Sequence, residues 1–267
     1  LATCIAARSI CLDEKNMDGN PRMPMMQILV AAMIVLTILT GCKKEKAAGQ
    51  APEGSGFLPS EGRYTYEAIS TDGTTAEDVD TVFNLRDTAG GKAVTVHSGV
   101  GTSLFENIIF RDDKQTVTSM TPPSSFFSFE AMIKAQPNVV DFEHSGWPMF
   151  QQLPNNPVMG DELTFSGGPI NMHWVIKDPD EPPVTGDFTV EYIDGTLVKT
   201  GESVATPAGT FNCSVWAYGR TTTLVSGLIN QLRSFDDTVY MTPGIGPVKT
   251  TESVEGVYTV TELTPIN

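Results

Sequence analysis

Beyond residue 62 this chain keeps returning to alternation with a period of two, and that pattern restricts its fold more than any other feature. Tyr64, Tyr66 and Ala68 alternate with Arg63, Thr65 and Glu67, while Val79, Thr81, Phe83 and Leu85 alternate with Asp78, Asp80, Asn84 and Arg86. Successive side chains of a strand point to opposite faces, so these segments read as half-buried β-strands. The runs 92–97 and 104–110 follow, separated at Gly99-Val100-Gly101, and Asp112-Asp113-Lys114 turns the chain into 116–119. Further on, Ile170, Met172, Trp174 and Ile176 face away from Asn171, His173 and Lys177, and Phe188, Val190 and Tyr192 away from Thr189 and Glu191. Residues 178–183 make a turn rich in proline and acid; Asp194-Gly195 predicts a second, tight one before 196–204 returns. The expectation is an all-β domain: a curved, mostly antiparallel sheet or partly open β-barrel with one or two short helices.

Three segments break the alternation. Phe126, Phe129, Glu130 and Ile133 have helical spacing, confined by Pro122, Pro123 and Pro137. Leu228, Leu232 and Phe235 predict a second helix over 224–237. Between residues 146 and 157 Pro148, Pro154 and Pro157 remove ladder donors, which predicts an ordered loop packed by Trp147 and Phe150.

Upstream, residues 28–39 carry no charge and end in Leu39-Thr40-Gly41-Cys42. A membrane-spanning helix needs about 20 apolar residues to cross a hydrocarbon core roughly 30 Å thick; a shorter run followed by small residues suits a secretory signal. The stretch resembles the lipobox of bacterial lipoproteins: Thr40 and Gly41 supply the small side chains beside the cut, and Cys42 the thiol that is acylated. The alternative is a buried core helix ending in Gly-Cys. The n-region is thin, with Arg22 the only nearby cation. The chain then divides into an over-called upstream segment (1–22), a signal peptide (23–41), a lipidated flexible tether (42–62) and one β-rich domain (63–267). Lys43, Lys44 and Lys46 stand where they would meet headgroup phosphates, though an ordinary solvated linker reads the same way. Lys43 after the cysteine, where an inner-membrane signal would have Asp, points to the outer membrane by analogy with enteric bacteria.

The formal net charge of -15 lies wholly beyond residue 41, because the first 41 residues hold three bases (Arg8, Lys15, Arg22) and three acids (Asp13, Glu14, Asp18). Such a body is repelled by nucleic acid and by anionic headgroups, so attachment to a membrane falls to the acyl chains on Cys42. Once Cys42 is acylated only Cys213 remains in the mature chain, and packing rather than a disulfide must stabilise it.

Two motifs stand out in the C-terminal half. Residues 205–215 include Pro207-Ala208-Gly209-Thr210-Phe211-Asn212-Cys213, and residues 240–249 include Pro243-Gly244-Ile245-Gly246-Pro247-Val248-Lys249. In order and spacing they resemble the TapB-like envelope proteins of unknown function, and Leu58-Pro59-Ser60-Glu61-Gly62 and Asn156-Pro157-Val158-Met159-Gly160-Asp161 resemble that family's opening and mid-domain elements. The resemblance implies an envelope protein, with a weaker architectural analogy to the open barrels of the LolA and LolB carriers. What these residues need is structural: Pro207 fixes φ at a turn, and Gly209, Gly244 and Gly246 permit backbone angles or approaches denied to other residues.

Nothing in the sequence is spaced like an active site, a metal site or a cofactor cradle, so no catalytic residue, metal or cofactor is assigned. His97, His144 and His173 lie in separate segments, and the acidic clusters at 77–80 and 178–181 read as solvated turns before calcium ligands. Cys213 shares a strand face with Phe211, Val215 and Ala217 and reads as a buried small hydrophobe. Trp216 and Tyr218 occupy the opposite face, so this strand is either covered on both sides or lines a cavity on one. Trp147, Met172 and Trp174 are candidates to join Trp216 and Tyr218 in such a lining. The expected function is a non-catalytic binding module for an apolar ligand or an envelope component; the alternatives are a structural or assembly lipoprotein working through protein contacts, and an enzyme.

Overall fold

The computed structural model describes residues 56–100, 103–120, 122 and 124–265; the lipobox and most of the tether lie outside them. Its strands are β1 (Gly62–Ser70), β2 (Thr75–Thr88), β3 (Gly91–Val100), β4 (Ser103–Arg111), β5 (Gln115–Met120), β6 (Val139–Ser145), β7 (Met149–Pro154), β8 (Glu162–Ser166), β9 (Ile170–Ile176), β10 (Val184–Thr206), β11 (Gly209–Ser226), β12 (Ile229–Thr242), β13 (Gly246–Val254) and β14 (Val257–Leu263), with one helix, α1 (Ser124–Lys134). All pair antiparallel in one sheet ordered β11-β12-β13-β14-β1-β2-β3-β4-β5-β7-β8-β10-β9-β6. Because β11 also pairs with β10, twelve of the fourteen strands close into a ring, a β-barrel. Closure removes most of the free edges that an open sheet would expose.

The seam of the ring is short, with β8 meeting β10 only at Gly195↔Leu163 and Thr196↔Glu162. Here the structure corrects the tight turn expected at Asp194-Gly195. β10 runs unbroken for 23 residues, and the two residues form a bulge between Ile193 and Thr196. Asp194 Oδ1 accepts from Phe165 N at 2.7 Å. A Cβ on Gly195 would lie 2.2 Å from Ala217 O, so glycine is needed for close approach between strands.

Beyond the seam the first part of β10 pairs with β9 instead, and β9 with β6. With the adjoining ends of β11 and β12 these strands rise from the barrel as a wing ordered β12-β11-β10-β9-β6. Helix α1 packs on it through Phe126, Phe129 and Ile133, against Met172, Trp174, Ile176, Phe188 and Leu224.

At the opposite end the incoming chain is held tightly. Phe57 is 1% and Leu58 8% exposed, and they join two different core clusters. The ordered domain therefore includes residues assigned to the tether from sequence. The second motif supplies the seat: Gly244 N donates to Gly56 O at 2.9 Å and Ser60 N to Gly244 O at 3.2 Å. The first motif forms the β10–β11 turn, with Thr206 paired to Gly209 and Ala208 N donating to Leu263 O at 3.0 Å.

Two other expectations are overturned. Residues 224–237 are a β-hairpin rather than a helix: Leu228 is 98% and Leu232 65% exposed, while Phe235, Asp237 and Val239 are buried with a period of two. The segment expected to be a loop around Trp147 and Phe150 contains β7, which pairs with β5 and β8. The buried residues of β7 are Met149 and Leu153, whereas Trp147 and Phe150 are 42% and 36% exposed.

Candidate functional site

Following the strand registers across one face identifies what points into the barrel. One row runs Trp216–Val239–Thr250–Thr261–Ala68. The next, farther from the incoming chain, runs Tyr218–Asp237–Glu252–Thr259–Ser70. Arg220 follows on β11, flanked by Tyr192 on β10 and Phe235 on β12. An apolar floor at the incoming-chain end thus gives way to a charged and hydroxyl-bearing belt.

The centre of the belt is Arg220, 5% exposed. Its Nε lies 3.4 Å from Asp237 Oδ2, and its Nη2 is hydrogen-bonded to Glu252 Oε2. The guanidinium carbon stands 4.1 Å from the centroid of Phe235 and 5.9 Å from that of Tyr192. Phe165 bridges the aromatic side, with centroids 5.0 Å from Tyr192 and 5.4 Å from Tyr218. A buried guanidinium is expensive unless its donors are used, and two carboxylates with two ring faces satisfy it.

Ionisation follows from this packing. Burial raises the Asp237 carboxyl to about 6; Arg220 opposes that rise and Glu252 adds to it. Burial alone would discourage the Arg220 charge, but Tyr192, Glu252 and Asp237 more than reverse this and keep it protonated. Burial first, then the Asp237 charge, pushes the Tyr218 phenol well above its ordinary value, so it stays a neutral hydrogen-bonding group. The arrangement is suited to holding charge in place. It presents no nucleophile beside a base.

The candidate lining residues do not form one group. Met172 and Trp174, both fully buried, belong to the cluster beneath α1, where Phe129 packs edge-on to Trp174 at 5.3 Å. Trp216 lies in the floor with Phe57, Leu163 and Leu197, and Tyr218 in the belt. Trp147 is outside the core, 5.7 Å from Phe127. Cys213 is 1% exposed with Sγ 3.2 Å from Thr242 Oγ1, and burial raises its thiol. On β11 the buried side changes between Val215 and Trp216, both under 5% exposed, so this strand is covered on both faces. Pro207 and Gly209, Pro243, Gly244 and Gly246, and Val248 with Lys249 cluster around the seat of the incoming chain. Lys249 pairs with Glu262 at 2.6 Å. His173 lies 2.7 Å from Asp187 on a solvated face. Among the described residues no group of three or more His, Cys, Asp or Glu is placed to hold a metal ion, and no helix is long and apolar enough to cross a membrane.

Sequence reasoning missed Arg220, Asp237, Glu252 and Tyr192. Strand parity carried a signal for the first, because Arg220 continues the face of Trp216 and Tyr218.

Comparison with known proteins places the architecture. A solved structure from Parabacteroides distasonis, described as that of a lipoprotein, superposes with a TM-score of 0.51 over 78% of this chain and 96% of its own, at 17% identity. At that identity the likeness shows the fold. A Bacteroides fragilis structure described as an exported protein with a YmcC-like fold gives 0.48 at 16% identity, over 79% of this chain and 98% of its own. The hypothetical lipoprotein YmcC of Escherichia coli gives 0.24 at 8%, over 92% and 100%. No family model matches the chain, and no curated protein is significantly similar to it. None of these comparisons shows the TapB-like resemblance, which rests on the motif residues alone.

Proposed function

We propose that this chain is a lipoprotein of the bacterial outer membrane, anchored through acyl chains on Cys42, whose barrel is a non-catalytic binding module. The observation that carries the binding reading is the state of the inner wall. Asp80 and Ser98 are opposed in the row that contains Tyr64, and Thr118 and Gln151 in the row that leads to Phe165. All four face the interior yet remain partly exposed, as do Tyr192, Tyr218 and Thr250. Well-packed interiors leave little accessible surface on inward side chains, so partly exposed ones support a chamber above the apolar floor. Its polar wall and apolar base favour an amphiphilic ligand over a purely apolar one. Trp216 adds an indole N–H, fully buried, with no acceptor among the described residues; buried donors are ordinarily paired.

Anchoring is supported by the Leu39-Thr40-Gly41-Cys42 sequence and by the net charge of -15. Catalysis is disfavoured because Arg220 is already held by two carboxylates and Cys213 is sealed. A second reading, assembly through protein contacts, is favoured by the exposed Leu228 and Leu232. The test has two arms. Replacing Cys42 by Ser should release the full chain from membranes, and a variant still processed but retained in high salt would refute the anchor. Protein extracted in mild detergent should carry a discrete amphiphile by native mass spectrometry; repeated preparations free of any bound molecule would refute the module.

A further inference from the structure

The wing has two free edges, and they are built differently. β12 pairs with β13 only from Asp236 onward. Residues 229–235 therefore have β11 on one side and no strand among the described residues on the other. The far edge is β6, paired only with β9. A free strand edge is a template for another chain and is normally blunted by charges or bulges. β6 has both: Asp141 and Glu143 are exposed, and the register shifts between Val139 and Asp141.

The β12 edge has no bulge over 229–235 and no charge on its exposed face. Its exposed residues are Asn230, Leu232 and Ser234, and positions 221–232 contain no charged residue in a chain of net charge -15. Arg233, the one ion in 229–235, belongs to the opposite face, where its side chain is 14% exposed and lies 3.3 Å from Glu255. Leu232 is 65% exposed, Leu228 at the turn 98%, and Val225, diagonal to Leu232 across the hairpin, 41%.

We infer that residues 229–235 are the seat of a second copy of this chain, the two β12 edges pairing antiparallel about a two-fold axis at Leu232. In that register Leu232 faces its own equivalent and Asn230 faces Ser234. On the other face Arg233 meets Gln231. The same operation on β6, centred at Phe142, sets Asp141 against Glu143, and like charges directly opposite destabilise a sheet. One edge thus accepts a copy and the other refuses it. A contact of this length falls in the small, reversible class, below about 1,200 Å². The inference goes beyond the binding-module reading and depends on neither lipid nor ligand.

Cysteine cross-linking of the full chain in the cells that make it tests the pairing. Directly opposed residues of an antiparallel pair have Cα atoms about 4.5–5.5 Å apart, within the roughly 4.4–6.8 Å a disulfide spans. Leu232→Cys should give a disulfide-linked dimer, and Val158→Cys, at a comparably exposed position (63%), should stay monomeric. Asn230→Cys alone should also stay monomeric, since its own equivalent lies about 13 Å away at the strand rise, whereas Asn230→Cys with Ser234→Cys should cross-link. Leu232→Cys dimers no more abundant than those of Val158→Cys would overturn the inference, as would equal cross-linking at every position. Native mass spectrometry of the unsubstituted chain gives the second readout. It should show a dimer that Leu232→Lys abolishes; a monomer persisting at about 100 μM, where contacts of this class still associate, would overturn it.

Discussion

Replacing Arg220 by Met is the most informative perturbation of the barrel. The substitution keeps an unbranched side chain of similar length but removes the one cation from a cluster in which Asp237 is 7% exposed and the Glu252 side chain 13%. Removing one partner of a buried ion pair typically costs about 3–5 kcal/mol, because the abandoned charge stays desolvated. Two carboxylates are abandoned here, so the upper half of that range is expected. For a domain of this size each kcal/mol lowers the midpoint by about 2–4 °C, which predicts a fall on the order of 10 °C.

The pH dependence gives the argument its sign. In the native protein the Asp237 carboxyl already sits near 6, raised by burial from 3.8. An acid whose folded pKa exceeds its unfolded value favours folding at low pH, and that contribution fades as pH rises through the folded value. Without Arg220, whose charge holds it down, the Asp237 carboxyl should be driven further up. The deficit of the Arg220→Met variant should therefore be smallest near pH 5, where Asp237 binds a proton, and largest at pH 8. Urea unfolding of both proteins at four pH values, with the slope checked for constancy, measures this. Adding Asp237→Leu and Glu252→Leu to the variant should restore most of the loss, since apolar replacement of a whole buried cluster is often neutral or stabilising. A loss below about 1 kcal/mol, the range of exposed pairs, or one that does not change with pH, would show that water reaches the cluster and that it is not a buried network.

Other expectations are simpler. Phe57→Ala should cost about 3–5 kcal/mol by urea unfolding, because Phe57 is 1% exposed in the barrel floor; a cost under 1 kcal/mol would return residues 56–62 to the tether. Gly195→Ala should destabilise by more than the 1–3 kcal/mol or so of ordinary overpacking, since the added carbon meets backbone at 2.2 Å, whereas Gly73→Ala, with nothing within 4 Å but φ +84°, should cost only about 1–2 kcal/mol. Cys213 should react with a thiol reagent only after unfolding, given its burial and raised pKa; rapid modification of folded protein would contradict this.

The sequence disclosed the strands better than it disclosed what they face. In β9 the alternation of Ile170, Met172, Trp174 and Ile176 is the observed burial pattern. In β2 it misleads: the inward side carries Asp78 and Val82, while Leu85 is 47% exposed beside a bulge at Asn84 and Phe83 packs outside against His97 at 4.5 Å. Period-two reasoning assumes an apolar interior, and a barrel with a polar belt breaks that assumption. The same assumption hid the charged cluster. Arg220 and Asp237 are of charged types that ordinarily face water, so the apolar pattern did not mark them as interior, and the helical spacing of Leu228, Leu232 and Phe235 removed the β12 segment from the sheet altogether. Those two leucines are apolar without being core, which a pattern of apolar positions cannot reveal.

The two motifs and the charged cluster also separate architecture from chemistry along the barrel. The Pro207–Gly209 turn and the Pro243–Gly246 turn both lie where residues 56–60 join the barrel, bonded to Leu263 and to Gly56 and Ser60 respectively. Their glycines and prolines shape backbone and bring no reactive group to the interior, so a motif search leads to the seat of the incoming chain. The belt lies farther up β11, at Tyr218 and Arg220, and the open edge of β12 farther still. Residues 56–60 thus enter the barrel at the end away from the β12 edge, which is where the proposed anchor would be tethered. Substitutions at the Pro243–Gly246 turn should disturb how residues 56–60 are held, and substitutions at Arg220 should disturb the charged belt, with little coupling expected between sites that share no partner.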